Sequence, residues 1–275
     1  MAKAPPIAPM EQFLVHPLVK IPPFHLGGFT LDMSITNATL AMAFAAFVIC
    51  ALLFAAGKRE LVPGRLQSIG ESLYDLIDVT LVEPIIGPAG RPYIPFIFTI
   101  FMVVLTMNMM GLVLAFGNLA HQQWTFTATA QLAVTATLAV LTFLTVVVIG
   151  FVKNGLGFFK LFTPSGLPWP MLMMVAPLEF LSFMIRPVTL AMRLFGNMLG
   201  GHVVMNIFAS FVIMLGVAGL AGGIASLGFL GAGLSLAILV ALTALELIVA
   251  FLQAFVFAAL ATVYLNEVVN LGHGH

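Results

Sequence analysis

The chain is predicted to be an all-α integral membrane protein with about five crossings, the last two as long, steeply tilted helices, plus an amphipathic helix on the membrane surface. Composition carries the class: of 275 residues, 61% are hydrophobic and 7% charged, and the mean hydropathy is +1.15. Soluble domains carry about a quarter charged residues. The apolar residues also gather into separate runs of the length, about 20 residues, that crosses roughly 30 Å of hydrocarbon. Net charge is zero, so nothing points to nucleic acid as a partner. The one cysteine, Cys50, lies in an apolar run with no second thiol for a disulfide and no metal-ligand spacing around it.

Residues 1–33 are expected to form a proline-rich extramembrane arm. Pro5, Pro6, Pro9, Pro17, Pro22 and Pro23 fix φ and remove backbone donors, which works against long regular helix. The arm lacks a basic head followed by an apolar core, so no cleavable signal is expected and the first span serves as its own insertion signal. Residues 34–275 form the membrane domain. Its first span, residues 35–56, is apolar throughout and stops at Gly57-Lys58-Arg59. In residues 63–83, Leu66, Ile69, Leu73, Leu76 and Ile77 recur at helical spacing opposite Gln67, Ser68, Glu71, Asp75 and Asp78. This is the surface helix, lying on the membrane or against a partner, and its acidic face argues against simple attraction to anionic lipid.

Residues 93–116 and 127–151 are the second and third spans, joined by a short polar turn with His121 and Gln122. Lys153, Lys160 and the prolines from Pro164 to Pro170 then mark an extramembrane loop. Lys58, Arg59, Arg65, Arg91, Lys153 and Lys160 fall on one side of the membrane, and only Lys3 and Lys20 on the other. By the positive-inside rule the larger group is cytoplasmic, which places the amino terminus outside and, after five crossings, the carboxyl terminus in the cytoplasm. The fourth span, residues 171–215, would be about 68 Å long as one helix, and the fifth, residues 234–268, about 52 Å. Either Pro177 or Pro187 breaks the fourth, or it lies steeply tilted against a protein surface. Between them, residues 216–233 carry seven glycines and read as a turn.

These two segments hold nearly all the intramembrane polar chemistry. An arginine at a helix centre in lipid costs about 2.5 to 3.5 kcal/mol on insertion scales, so Arg193 needs a compensating role. It either pairs with Glu179 as a structural ion pair or serves a function. Glu179, Arg186 and Arg193 recur every seven residues, a spacing that drifts by only about 20° per repeat, so they share one face with Asn197. If the pair of helices folds back near Ile224, His202 falls opposite Glu246, Arg193 near Gln253 and Glu179 close to Glu267. A histidine opposite a carboxylate can exchange its proton near neutral pH, as a relay requires. Arg186 is open to two readings, a helper of Arg193 or a partner of Glu179. Asn108, in the second span, reads as an interhelical hydrogen bond.

The run Arg186 to Asn197, with R-L-F-G-N at Arg193 to Asn197, together with Gln253-Ala-Phe-Val-Phe and Tyr264, closely resembles the a subunit of F-type ATP synthases. V-P-G-R-L-Q at Val62 to Gln67 looks like that family's cytoplasmic segment after its first span. The resemblance covers the chain from about Ile35 to Asn270. It implies a proton-translocating stator subunit in a bacterial inner membrane, or less expectedly an organellar one, working beside a ring of c subunits and held by peripheral-stalk b subunits, with membrane lipid and protons as its other partners. In that reading Arg193 is the essential coupling arginine, Asn197, His202, Glu246 and Gln253 line the half-channel from the outer side, and Glu179 lies on the route to the cytoplasm. The ATP chemistry belongs to other subunits, and no cofactor or metal is implied. Family members often carry glutamate where His202 stands and histidine where Glu246 stands, so the two types are exchanged here and either can receive the proton first. Many relatives also have an acidic residue near Gly111. A secondary transporter that binds a substrate anion at Arg193 is the rival class, although no inverted repeat is visible. A haem-carrying subunit would need paired histidines within spans, and only His202 lies deep.

Overall fold

The computed structural model describes residues 17–19, 24–26, 29–31, 34–57, 64–117, 128–163, 168–220 and 227–271. Most of the arm therefore lies outside the described residues, as do the turn at His121 and Gln122 and the tail with His273 and His275. What is described of the arm is three short strands, β1 (Pro17–Val19), β2 (Phe24–Leu26) and β3 (Phe29–Leu31); β2 is antiparallel to β3, and β1 to β4 (Ile35–Thr36) at the start of the membrane domain. The rest is overwhelmingly helical. Five helices are long and apolar enough to cross a membrane, as the apolar runs require.

The first is α1 (Asn37–Ala56). Its start is set by Thr36, whose Oγ1 accepts a hydrogen bond from the Thr39 N–H at 3.3 Å and so satisfies one of the orphan donors of the first turn. The surface helix appears as α2 (Arg65–Ile77), a π-helical turn at Asp78–Val82 and the short α3 (Glu83–Ile85). Part of its apolar stripe is left open for the membrane or a partner, as expected, and a different side is buried in the chain. Gln67, Ile77, Leu81 and Val82 are buried, while Leu66 and Ile69 stay exposed. Gln67 tolerates burial because its Nε2 donates to Glu71 Oε1 at 2.9 Å. The wider π turn then shifts the phase, so the apolar residues upstream of it do not continue the stripe that follows it.

The second and third spans are α4 (Ile94–Gly117) and α5 (Leu132–Asn154). α5 stops at Gly155, whose φ of +54° suits glycine, and is followed by a 3₁₀ segment, Gly155–Phe162. Asn154 closes this end, donating from Nδ2 to Val268 O at 2.8 Å and to Gly150 O at 3.3 Å. Gly150 is required there, since a Cβ would stand 2.5 Å from Val268 Cγ1 and 2.7 Å from the Phe158 ring. Phe143, Phe151, Phe158, Phe162, Phe180 and Phe183 form a cluster with ring centroids 4.5 to 6.2 Å apart.

The last two helices are α6 (Trp169–Gly219), 51 residues, and α7 (Gly228–Val269), 42 residues. At 1.5 Å per residue they measure about 76 Å and 63 Å, far beyond the bilayer core. Pro177 and Pro187 sit inside α6 without ending it, so the excess length is not resolved by a break. The glycine-rich stretch is also shorter as a turn than its composition suggests. Gly219 packs on the Phe229 ring and Gly228 on Leu215 O so tightly that a Cβ would come within 2.9 Å and 2.5 Å of them. Glycine here allows close approach of two helices, its usual use in membranes, and does not simply break them.

The chain divides into two compact units. One comprises Met1–Ala43, Met107–Gln131 and Phe195–Leu252, the other Phe44–Thr106, Leu132–Leu194 and Gln253–His275.

Candidate functional site

In the first unit Asn108, His202, Ser235 and Glu246 are buried polar residues. The Glu246 side chain comes from the middle of α7 and is buried, with 7% of its surface exposed. The carboxylate is laid over the Cα of Gly201 on α6, the residue before His202: a Cβ at position 201 would stand 1.8 Å from Glu246 Oε2 and 2.2 Å from Oε1. His202 is buried beside it in sequence, at 5% exposure. Glu246 Oε1 has no hydrogen-bond partner among the described residues. Thr243, one turn before Glu246, points its hydroxyl at Met205 Sδ, 3.9 Å away. The expected fold-back near Ile224 pairs 205 with 243 and 202 with 246, as these contacts do to within a residue. Asn108 makes the expected interhelical bond, donating from Nδ2 to Ala250 O at 3.2 Å. Asn197 is exposed on α6.

In the second unit the charges lie on α6 and on the last turns of α7. Arg193 stands 24 residues after Trp169 and 26 before Gly219, at the centre of α6. It is exposed, and among the described residues it makes no hydrogen bond or ion pair. The buried residues of this helix explain the exposure. Phe183, Leu190, Ala191, Leu194, Met198, His202 and Met205 trace one stripe, and at about 100° per residue Arg193 lies roughly 120° around from its centre. Gln253 is buried at 4% exposure, and Glu179 is half-buried.

Arg186 takes a partner that neither reading named. It pairs neither with Glu179 nor beside Arg193 but with Glu267, its Nη1 meeting Glu267 Oε2. Its guanidinium also lies over the rings of Tyr264, 4.8 Å from the centroid, and Phe183, 5.4 Å. Glu267 is therefore taken by Arg186 and is not the neighbour of Glu179 that the fold-back suggested. A constant register would place Thr262 opposite Arg186, and the observed partner lies five residues further on. Over 38 residues from the tip at Ile224, helices that are not straight and parallel lose that much register, about 7.5 Å. Gly201, Phe183 and Glu267 are the participants that spacing alone did not single out as site residues. The signal for Glu267 was its position three residues after Tyr264, which gives an arginine a ring and a carboxylate on one helix face.

Fold and site together define the class, a multi-pass helical membrane protein that carries ionisable side chains inside its two longest spans, an arrangement that marks proton and ion pathways. Residues 39–266 match the family described as ATP synthase A chain. The chain is 45% identical over 265 residues to an ATP synthase subunit a from Nitrobacter hamburgensis, covering 96% of this chain and 99% of that protein. It is 46% identical over 270 residues to the subunit a of Allorhizobium ampelinum, covering 97% and 98%, and 45% identical over 266 residues to that of Agrobacterium fabrum, covering 96% and 98%. This chain belongs to the ATP synthase A chain family. Nothing in these similarities favours a secondary transporter.

Proposed function

We propose that the chain is the proton-translocating stator subunit of an F-type ATP synthase, that Arg193 is its coupling residue, and that Asn197, His202, Glu246, Gln253 and Glu179 form its proton route. The observation that carries this reading is the position of Arg193, at the middle of a membrane-spanning helix and turned out from the chain without a partner among the described residues. A guanidinium stays charged at any working pH, and in hydrocarbon it needs a counter-charge from outside its own chain. A ring of c subunits carrying carboxylates supplies one. Each carboxylate that has lost its proton is drawn to Arg193, and the fixed positive charge repels protons that would pass directly from one half-channel to the other. The buried Glu246 and His202 deliver protons from the outer side, with Asn197 and Gln253 along the same route, and Glu179 leads to the cytoplasm. An elementary charge crossing 100 mV releases about 2.3 kcal/mol, so several steps per turn are needed for each ATP made on the distant catalytic head. The peripheral-stalk b subunits hold the chain against the torque. The basic residues between the spans support an amino terminus outside and a carboxyl terminus in the cytoplasm of a bacterium.

The test is ATP-driven acidification of inverted membrane vesicles, comparing wild type with Arg193→Ala at equal content of assembled complex. Loss of pumping with the complex assembled and its ATPase head intact is the expected result. Pumping at the wild-type rate would make Arg193 structural and overturn the mechanism.

A further inference from the structure

Arg186 and Arg193 lie on one face of α6, two turns apart, in opposite circumstances. Arg186 has a carboxylate and two aromatic faces around it, with 17% of its side chain exposed against 32% for Glu267. Arg193 has none of these among the described residues. We propose that Arg186 is a positioning residue that sequesters the Glu267 carboxylate, so that Arg193 keeps no counter-ion within its own chain. The proposal rests on the reading of Arg193 as the cation that faces the ring.

The geometry gives the reason. Arg186 is paired with Glu267 and stacked on Tyr264, and Arg193 follows it two turns later on the same face of α6. The two arginines are about 10.5 Å apart along the helix axis, a distance over which charges in a poorly polarisable medium are barely screened. A carboxylate released from Arg186 would be left bare in a membrane-spanning helix, and the next cation along that face of α6 is Arg193. Arg193 would then be half-neutralised before any ring carboxylate arrived, and its pull on that carboxylate would fall. Arginine suits the sequestering position better than lysine. Its planar fork meets a carboxylate while its faces stack on rings, and Tyr264 and Phe183 provide two such rings. The aromatic contacts also limit how far the guanidinium can swing away from Glu267.

The experiment is a double-mutant cycle on the whole complex in inverted vesicles: wild type, Arg186→Gln, Glu267→Gln and the two together, with Arg193→Ala alongside. ATP-driven acidification is read at equal content of assembled complex. Coupled neighbours of this kind show interaction terms large enough to expect roughly a tenfold loss of pumping in Arg186→Gln, a change of less than about twofold in Glu267→Gln, and recovery of the double variant to within about threefold of wild type. The decisive comparison is the double variant against Arg186→Gln alone. If Arg186 were only a structural clamp, both single variants and the double would be impaired alike; if Glu267 were itself on the proton route, Glu267→Gln would be severely impaired and the double would not recover. Either pattern overturns the proposal, as does wild-type pumping by Arg186→Gln. Should Arg186→Gln fail to assemble, Arg186→Lys, which keeps the charge but loses the fork, is expected to show a smaller defect that Glu267→Gln again suppresses, and absence of suppression counts against it. Arg193→Ala separates the two readings. Pumping by that variant defeats the role of Arg193 itself, whereas a dead Arg193→Ala with no recovery in the double variant defeats only the sequestering role.

Discussion

Gly201→Ala is the sharpest test of the seat that the fold gives Glu246. The new Cβ would stand 1.8 Å from Glu246 Oε2 and 2.2 Å from Cδ and Oε1, whereas the closest ordinary C···O contacts are about 3.3 Å. The carboxylate must therefore withdraw by about 1.5 Å, or the two helices must part. Parting helices in a packed interior costs typically about 1 to 3 kcal/mol, and rotating one buried glutamate costs less, so the side chain is expected to move. If Glu246 lies on the proton route as proposed, a displacement above 1 Å lowers the rate by about a hundredfold, as such misplacements do in active sites. Gly201→Ala should then assemble normally and pump ten to a hundred times more slowly, those bounds following from the same displacement. Gly216→Ala is the control, because no atom lies within 4 Å of a Cβ there; alanine's better helix propensity should leave pumping within about twofold. Adding Glu246→Asp to Gly201→Ala shortens the side chain by one methylene and should restore part of the rate. The assay is acidification of inverted vesicles, normalised to assembled complex. Wild-type pumping by assembled Gly201→Ala would refute the argument, since the carboxylate would then either not rest on Gly201 or not lie on the proton route.

Two further outcomes follow from the same geometry. Asn108→Ala removes the donor to Ala250 O and should lower the thermal stability of the purified complex by about 0.6 to 2 kcal/mol, with pumping retained; a collapse of pumping at full assembly would give Asn108 a role in the route. Gly196→Leu adds bulk where a Cβ has nothing within 4 Å in this chain, so the chain should fold normally while its association with the ring weakens and pumping falls, measured by co-purification and acidification; unchanged association would mean that no partner approaches this side of α6.

All five spans were legible in run length and composition, because a helix in lipid must satisfy its own backbone and must be apolar, which leaves little freedom to the sequence. The expected spans at residues 35–56, 93–116 and 171–215 became Asn37–Ala56, Ile94–Gly117 and Trp169–Gly219. The neighbourhood of His202 and Glu246 was legible too, since one fold-back point fixes the register close to the tip. Glu267 was not. Its partner depends on how far register slips along two helices of 51 and 42 residues, and nothing in a seven-residue spacing records that slip. The glycine-rich stretch was read as breaker where Gly219, Gly228 and Gly231 act as contact surface, because glycine's two uses, freedom of φ and absence of Cβ, look the same in a sequence. The π turn of the surface helix was not legible either. A π turn at Asp78–Val82 shifts the phase of its apolar stripe, and fixed 3.6-residue periodicity has no place for it.

The surface of α6 beside Arg193 explains why an exposed charge can be tolerated there. Gly196 and Gly200, four residues apart, are exposed on this helix with open space around each. At about 100° per residue they lie roughly 60° and 20° from Arg193 around the helix, away from the buried stripe. Small residues at that spacing let another helix approach closely in a membrane. A guanidinium on a long, flexible stem can then reach a carboxylate on a passing helix without a bulky neighbour holding the two backbones apart. The length of α6 and α7 serves the same end. Upright spans would meet a curved ring at a single level; on the proposed reading helices of about 76 Å and 63 Å would lie along it, with Glu179, Arg186, Arg193 and Asn197 strung along one face. On that face Arg186 is already matched by Glu267, which on the proposed reading leaves Arg193 as the charge a ring carboxylate would meet, with open space at Gly196 and Gly200 beside it.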